Sequence, residues 1–117
     1  MNNMGLFSKK KDEYEEASKG LNQTNLASDR IIMEQMVDDD MEAKRLVDSL
    51  KDGNPLIINF EGLDPFVENK MLAFMTGATV ALDGKVKKIN DTTYLFARRV
   101  DFIDGSLMRF LDEIPRG

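Results

Sequence analysis

No cysteine and no histidine occur in the 117 residues. Without cysteine there is neither a disulfide framework nor a thiolate metal site, which suits a reducing cytosol. Without histidine the chain lacks the commonest general base and the commonest metal ligand. Catalysis would fall to carboxylates, lysine, tyrosine or hydroxyls, so the composition points away from an enzyme. Positive charge is short as well: 16 lysines and arginines face 21 aspartates and glutamates, a net charge of −5. That balance does not suit a broad duplex-binding face, so no nucleic-acid partner is expected, although a local basic patch suits an acidic peptide. No apolar run approaches the roughly 20 residues that span a bilayer, and the N-terminus lacks a signal core of about 7–15 apolar residues. A soluble protein with at most peripheral membrane contact is expected. The glycine loops Asp52-Gly53-Asn54, Glu61-Gly62-Leu63 and Asp83-Gly84-Lys85 include no phosphate-cradling loop, so no cofactor is expected. Metal-ligand spacing is missing too.

The length and the 42% apolar content fit one domain with a short tail. Residues 1–14 place Met4, Leu6 and Phe7 just before Lys9, Lys10 and Lys11. An apolar patch flanked by lysines suits an anionic lipid interface, and a plain disordered start explains it equally. Residues 15–28 are polar and aperiodic and read as a flexible linker. The core domain then spans 29–117.

Residues 30–37 are rich in strand formers. Asp39 with Glu42 reads as a capping box, and Ala43, Leu46, Val47 and Leu50 follow at helical spacing up to Gly53. The aspartate run 38–40 is thereby a helix start rather than a cation site. Residues 55–60 read as a central strand and Asp64-Pro65 as the next helix start. Val67, Met71, Phe74, Met75, Ala78 and Leu82 form the expected core stripe of that helix. Asp83-Gly84 turns into a strand over 85–89, Asn90-Asp91 makes a hairpin into 92–97, and 100–103 is read as a further short strand. SLMRFLDEI after Gly105 carries no assignment. The expected fold is a two-layer α/β sandwich: two helices on one face of a mixed sheet of about five strands, with the other face open and apolar surface that invites self-association.

Two features invite a functional reading. Ala73, Gly77 and Ala81 lie four apart on one helix face and permit close backbone approach. Glycine inside a helix costs about 1 kcal/mol relative to alanine, so a close contact should offset it. Either an assembly surface or tight packing on the protein's own sheet would serve. Lys85, Lys87 and Lys88 crowd one hairpin strand opposite Tyr94 and Phe96. They suit an extended acidic peptide with apolar anchors, or simple edge protection by lysine.

Residues 55–97, PLIINFEGLDPFVENKMLAFMTGATVALDGKVKKINDTTYLFA, resemble the core of SepF, a bacterial and archaeal cell-division family. The shared pattern is the apolar strand 56–60, the loop Leu63-Asp64, the helical segment Phe74 to Gly77, and Asp83-Gly84 leading through Lys88. The resemblance covers about residues 28–114. It implies a homodimeric α/β sandwich that binds the C-terminal tail of the tubulin-like protein FtsZ and tethers FtsZ filaments to the inner membrane face. It places Lys88 and Tyr94 in the tail pocket, Gly77 at a helix interface used in higher assembly, and a short amphipathic membrane segment at the N-terminus. Tyr94 stands where the family often has phenylalanine. Two other readings remain: a small-molecule-sensing α/β regulatory domain with its crevice at the sheet's carboxyl edge, and a carboxylate enzyme using Asp64 or Glu61.

Overall fold

Two aspartates start the two long helices, as their spacing predicts. In the computed structural model, which describes residues 25–115, Asp39 precedes α1 (Asp40–Lys51) and accepts from the amides of Met41 at 2.9 Å and Glu42 at 3.4 Å. Asp64 precedes α2 (Pro65–Ala81), accepts from the Phe66 amide at 2.8 Å, and is followed by Pro65, whose missing N–H is no loss in a first turn. The first cap is only half a box. Glu42 pairs with Arg45 at 2.8 Å instead of reaching back, and this holds the Arg45 guanidinium above its ordinary pKa.

Around these helices lie strands β1 (Ile32–Gln35), β2 (Leu56–Asn59), β3 (Gly84–Lys88) and β4 (Thr93–Arg98), in the sheet order β1-β2-β4-β3. β1 and β2 are parallel and joined through α1, whereas β4 runs antiparallel to both its neighbours. The register places Ile32, Leu56, Ile58, Phe96 and Val86 on one face, where they meet Leu46, Leu50, Met71 and Met75 from the two helices. Both helices therefore cover one face, as expected.

The other face is not open. Residues Ser106–Glu113 form a third helix, α3, whose Leu107 and Leu111 pack with Ile57, Leu95 and Ala97. The expected strand at 100–103 is instead a 3-10 turn, Arg99–Phe102, so the described sheet has four strands rather than about five. The turn is held by Asp101, whose buried carboxylate receives Arg98 Nε at 3.1 Å and Arg30 Nη2 at 2.7 Å. A second 3-10 turn, Ala27–Arg30, docks beneath α3 and takes in the last two residues of the stretch that reads as linker. The Ala27 amide donates to Asp104 at 2.9 Å and the Ser28 amide to Ser106 Oγ at 2.9 Å.

α2 also departs from its expected core stripe. Phe74 is 46% exposed, while Thr79 is buried and satisfies its hydroxyl on the Met75 carbonyl at 2.6 Å. Gly84 packs closely on Thr79: a Cβ on Gly84 would stand 2.6 Å from the Ala97 carbonyl and 2.7 Å from the Thr79 methyl. Only glycine lets β3 leave the end of α2 so tightly.

Candidate peptide-binding and assembly surfaces

Cross-strand register brings two of the predicted site residues together. Lys88 on β3 is the direct partner of Tyr94 on β4, so both side chains leave the same face of the sheet. The turn between them is fixed locally. Ile89 donates to the Thr93 carbonyl at 2.9 Å, and the Asn90 side chain accepts from the Thr92 amide at 3.0 Å. Tyr94 is half-buried, its ring standing edge-on to the buried Phe60 with centroids 5.7 Å apart at 84°. The ring is thus held by the core while part of it faces solvent. Lys88 is 58% exposed, with Asp91 at 3.8 Å as a loose neighbour. Such a pair offers a fixed apolar wall beside a mobile cation.

The three lysines do not form one patch. Lys85 and Lys87 are paired with Ala97 and Leu95, so they leave the opposite face, the one carrying α3. Phe96, grouped with Tyr94 in the sequence, is fully buried in the helix-side core and presents nothing to a partner. Period-two alternation along the strand already separates Lys85 and Lys87 from Lys88; what the sequence leaves open is which face each set takes and which residues of β4 it meets.

Ala73, Gly77 and Ala81 are all exposed on α2, and no atom lies within 4 Å of a Cβ placed on Gly77. Packing on the protein's own sheet therefore does not explain the stripe. Phe66 and Val80, 75% and 64% exposed, continue it at helical spacing, which sequence reasoning missed. They sit inside a helix that is apolar on most sides, so no polarity break marks them out. Next to the stripe lies a cleft of about 240 Å³ between α1 and α2, lined by Asp40, Ala43, Lys70, Met71 and Phe74. Lys70 on its rim is paired with Asp38 at 3.2 Å.

Asp64 is occupied as a helix cap, and the Glu61 backbone is held in a turn by Asn59 at 2.8 Å with its side chain in solvent. Among the described residues no group of acidic, histidine or cysteine side chains is arranged to hold a metal ion. No described helix is long and apolar enough to cross a membrane. Met4, Leu6, Phe7, Lys9, Lys10 and Lys11 lie outside the described residues.

Comparison with known proteins converges on one family. A family profile described as "Cell division protein SepF" matches residues 36–106. The protein "Cell division protein SepF" of Carboxydothermus hydrogenoformans is 32% identical over 121 aligned residues, covering 97% of this chain and 88% of that one. Proteins of the same description from Alkaliphilus oremlandii and Alkaliphilus metalliredigens are each 36% identical over 66 residues, covering 56% of this chain. The match spans 45% of the length of those two relatives.

Proposed function

Because the chain belongs to the SepF family of cell division proteins, we propose that it is a non-enzymatic division adaptor. It binds the C-terminal tail of FtsZ and ties FtsZ filaments to the cytoplasmic face of the membrane at the division site. The observation that carries the reading is the cross-strand pair of Lys88 and Tyr94. The cation meets tail carboxylates, and the ring, backed by Phe60, receives an apolar anchor.

The exposed stripe of Phe66, Ala73, Gly77, Val80 and Ala81 serves self-association, as homodimer or higher assembly. An isolated apolar helix face of this kind is costly in water and is relieved by a second copy. Residues 1–14 supply the lipid contact through Met4, Leu6, Phe7 and the lysines, and residues 15–24 supply reach. Each contact is weak alone. A filament presenting many tails to an assembled adaptor multiplies them, because every binding event after the first is effectively intramolecular.

Co-sedimentation tests the central claim. The protein should pellet with FtsZ filaments and stay in the supernatant when FtsZ lacks its C-terminal tail; pelleting with both forms would refute it. Liposome flotation tests the tether. Deleting residues 1–14 should abolish binding to anionic vesicles without loss of FtsZ binding, and equal flotation of both proteins would refute that part.

A further inference from the structure

β3 is an edge strand, and its hydrogen-bond phase is set by its two ends. Arg99 donates to the Asp83 carbonyl at 2.9 Å and Ile89 to the Thr93 carbonyl at 2.9 Å. In an antiparallel ladder bonded pairs alternate with unbonded ones, so residues 83, 85, 87 and 89 spend their backbone groups on β4. The backbone N–H and C=O groups of Gly84, Val86 and Lys88 point away from the sheet. Among the described residues none of these groups takes part in a hydrogen bond with another protein group.

The same strand is strongly basic on a chain of net charge −5. Lys85 and Lys87 stand side by side on the α3 face, and among the described residues no carboxylate lies within ion-pair range of either. The other face of the strand carries Gly84, Val86 and Lys88, with Val86 packed against the core and Tyr94 beside Lys88. A strand laid along this edge would meet cations on one side and an apolar row ending in a cation on the other.

We infer that the free edge of β3 takes an extended peptide as an added strand, one with carboxylates at alternate positions and apolar side chains between them. The inference deepens the reading of Lys88 and Tyr94 as a tail site, and rests on it for the identity of the partner. Backbone pairing at Gly84, Val86 and Lys88 supplies affinity, the two faces of β3 supply selectivity, and the peptide's carboxylates face Lys85 and Lys87. Lysines on an edge otherwise keep strands apart, so the edge stays free until an acidic strand neutralises them.

The test uses the full chain and two probes, a synthetic FtsZ C-terminal tail peptide and a designed alternating Glu/Val hexapeptide. Each is prepared unmodified and with single backbone N-methyl groups at successive positions. An added strand loses about tenfold in affinity per methyl at alternate positions and little at those between. Amide exchange at Val86 and Lys88 slows on binding, at least about tenfold, while Lys85 and Lys87 change less because they are already bonded. Tail binding without the alternating pattern and without that protection overturns the added strand and leaves the adaptor reading intact. Protection by the hexapeptide together with no binding of the tail supports the added strand and overturns FtsZ as the partner. If neither peptide binds, both fall.

Discussion

Arg30 and Asp101 meet across 71 residues of sequence, guanidinium Nη2 to carboxylate Oδ1 at 2.7 Å. Arg98 holds the other oxygen at 3.1 Å, and Arg30 also donates to the Gly53 carbonyl at 2.8 Å. One buried carboxylate thus joins the N-terminal turn to the end of β4, and Arg30 extends the link to the loop after α1.

Removing that carboxylate leaves two cations facing each other at the edge of the core. Asp101→Ala should cost about 3 kcal/mol, the low end for a broken buried pair, since both arginines keep some water contact. Urea unfolding measures it, and a loss below about 1 kcal/mol would show the network to be surface ornament.

Asp104 makes stability depend on acid. Its carboxylate accepts from the Ser106 hydroxyl at 2.7 Å, the Ser106 amide at 2.8 Å and the Ala27 amide at 2.9 Å, and these bonds hold its pKa below the ordinary aspartate value. A carboxylate with a lowered folded-state pKa adds stability that is fully present above its unfolded pKa of about 3.9 and lost as pH falls through the folded value. The protection of the Ala27 amide, taken relative to the intrinsic exchange rate at each pH, should therefore be high at neutral pH and fall as pH drops below about 4. Asp104→Asn should flatten that dependence; an unchanged profile in the variant would assign it to another group.

Substitutions at Gly77 test the proposed assembly separately from monomer stability. Open space surrounds its missing Cβ, so Gly77→Ala should stabilise the monomer by about 0.5–1 kcal/mol through helix propensity. Gly77→Lys should leave the fold intact and dissociate the assembly, because a long cation does not fit between close helices. Light scattering with thermal melting reads both. A folded Gly77→Lys variant with unchanged assembly would remove this stripe from the interface.

At the hairpin, the ring should matter more than the charge. Tyr94→Ala should weaken binding of the FtsZ tail peptide about thirty-fold or more, as truncation of an anchoring aromatic does. Tyr94→Phe should bind within about threefold of the unmodified protein, because it keeps the ring on Phe60. Lys88→Ala should cost about fivefold at most, since an exposed cation is worth about 0.2–1 kcal/mol, and that share should fade as salt rises. Peptide titration at low and high salt decides the order. A folded Tyr94→Ala variant that binds normally would place the pocket elsewhere.

Local chemistry is written plainly in this sequence. Asp39, Asp64 and Pro65 mark helix starts by the hydrogen bonds they offer or omit, Asp83-Gly84 and Asn90-Asp91 mark turns, and the alternation around them marks the hairpin. The pairing of Lys88 with Tyr94 does not follow from that turn alone: a two-residue Asn90-Asp91 turn would set Lys88 opposite Thr93, whereas Ile89 bonds Thr93 across a three-residue loop and the one-residue shift brings Lys88 opposite Tyr94. Other features depended on distant partners. α2 is apolar on most sides, so its sequence does not say which stripe is buried, and the choice of Thr79 over Phe74 was made by the sheet it rests on. Residues 100–103 have strand-forming side chains, yet Asp101 is drawn into a turn by Arg30, which lies far off in the chain. SLMRFLDEI is too short to be helical alone and becomes α3 by laying Leu107 and Leu111 on Ile57, Leu95 and Ala97. Where a residue's fate hung on its neighbours within a few positions, the sequence determined it; where it hung on which surface arrived opposite, only the tertiary structure decided.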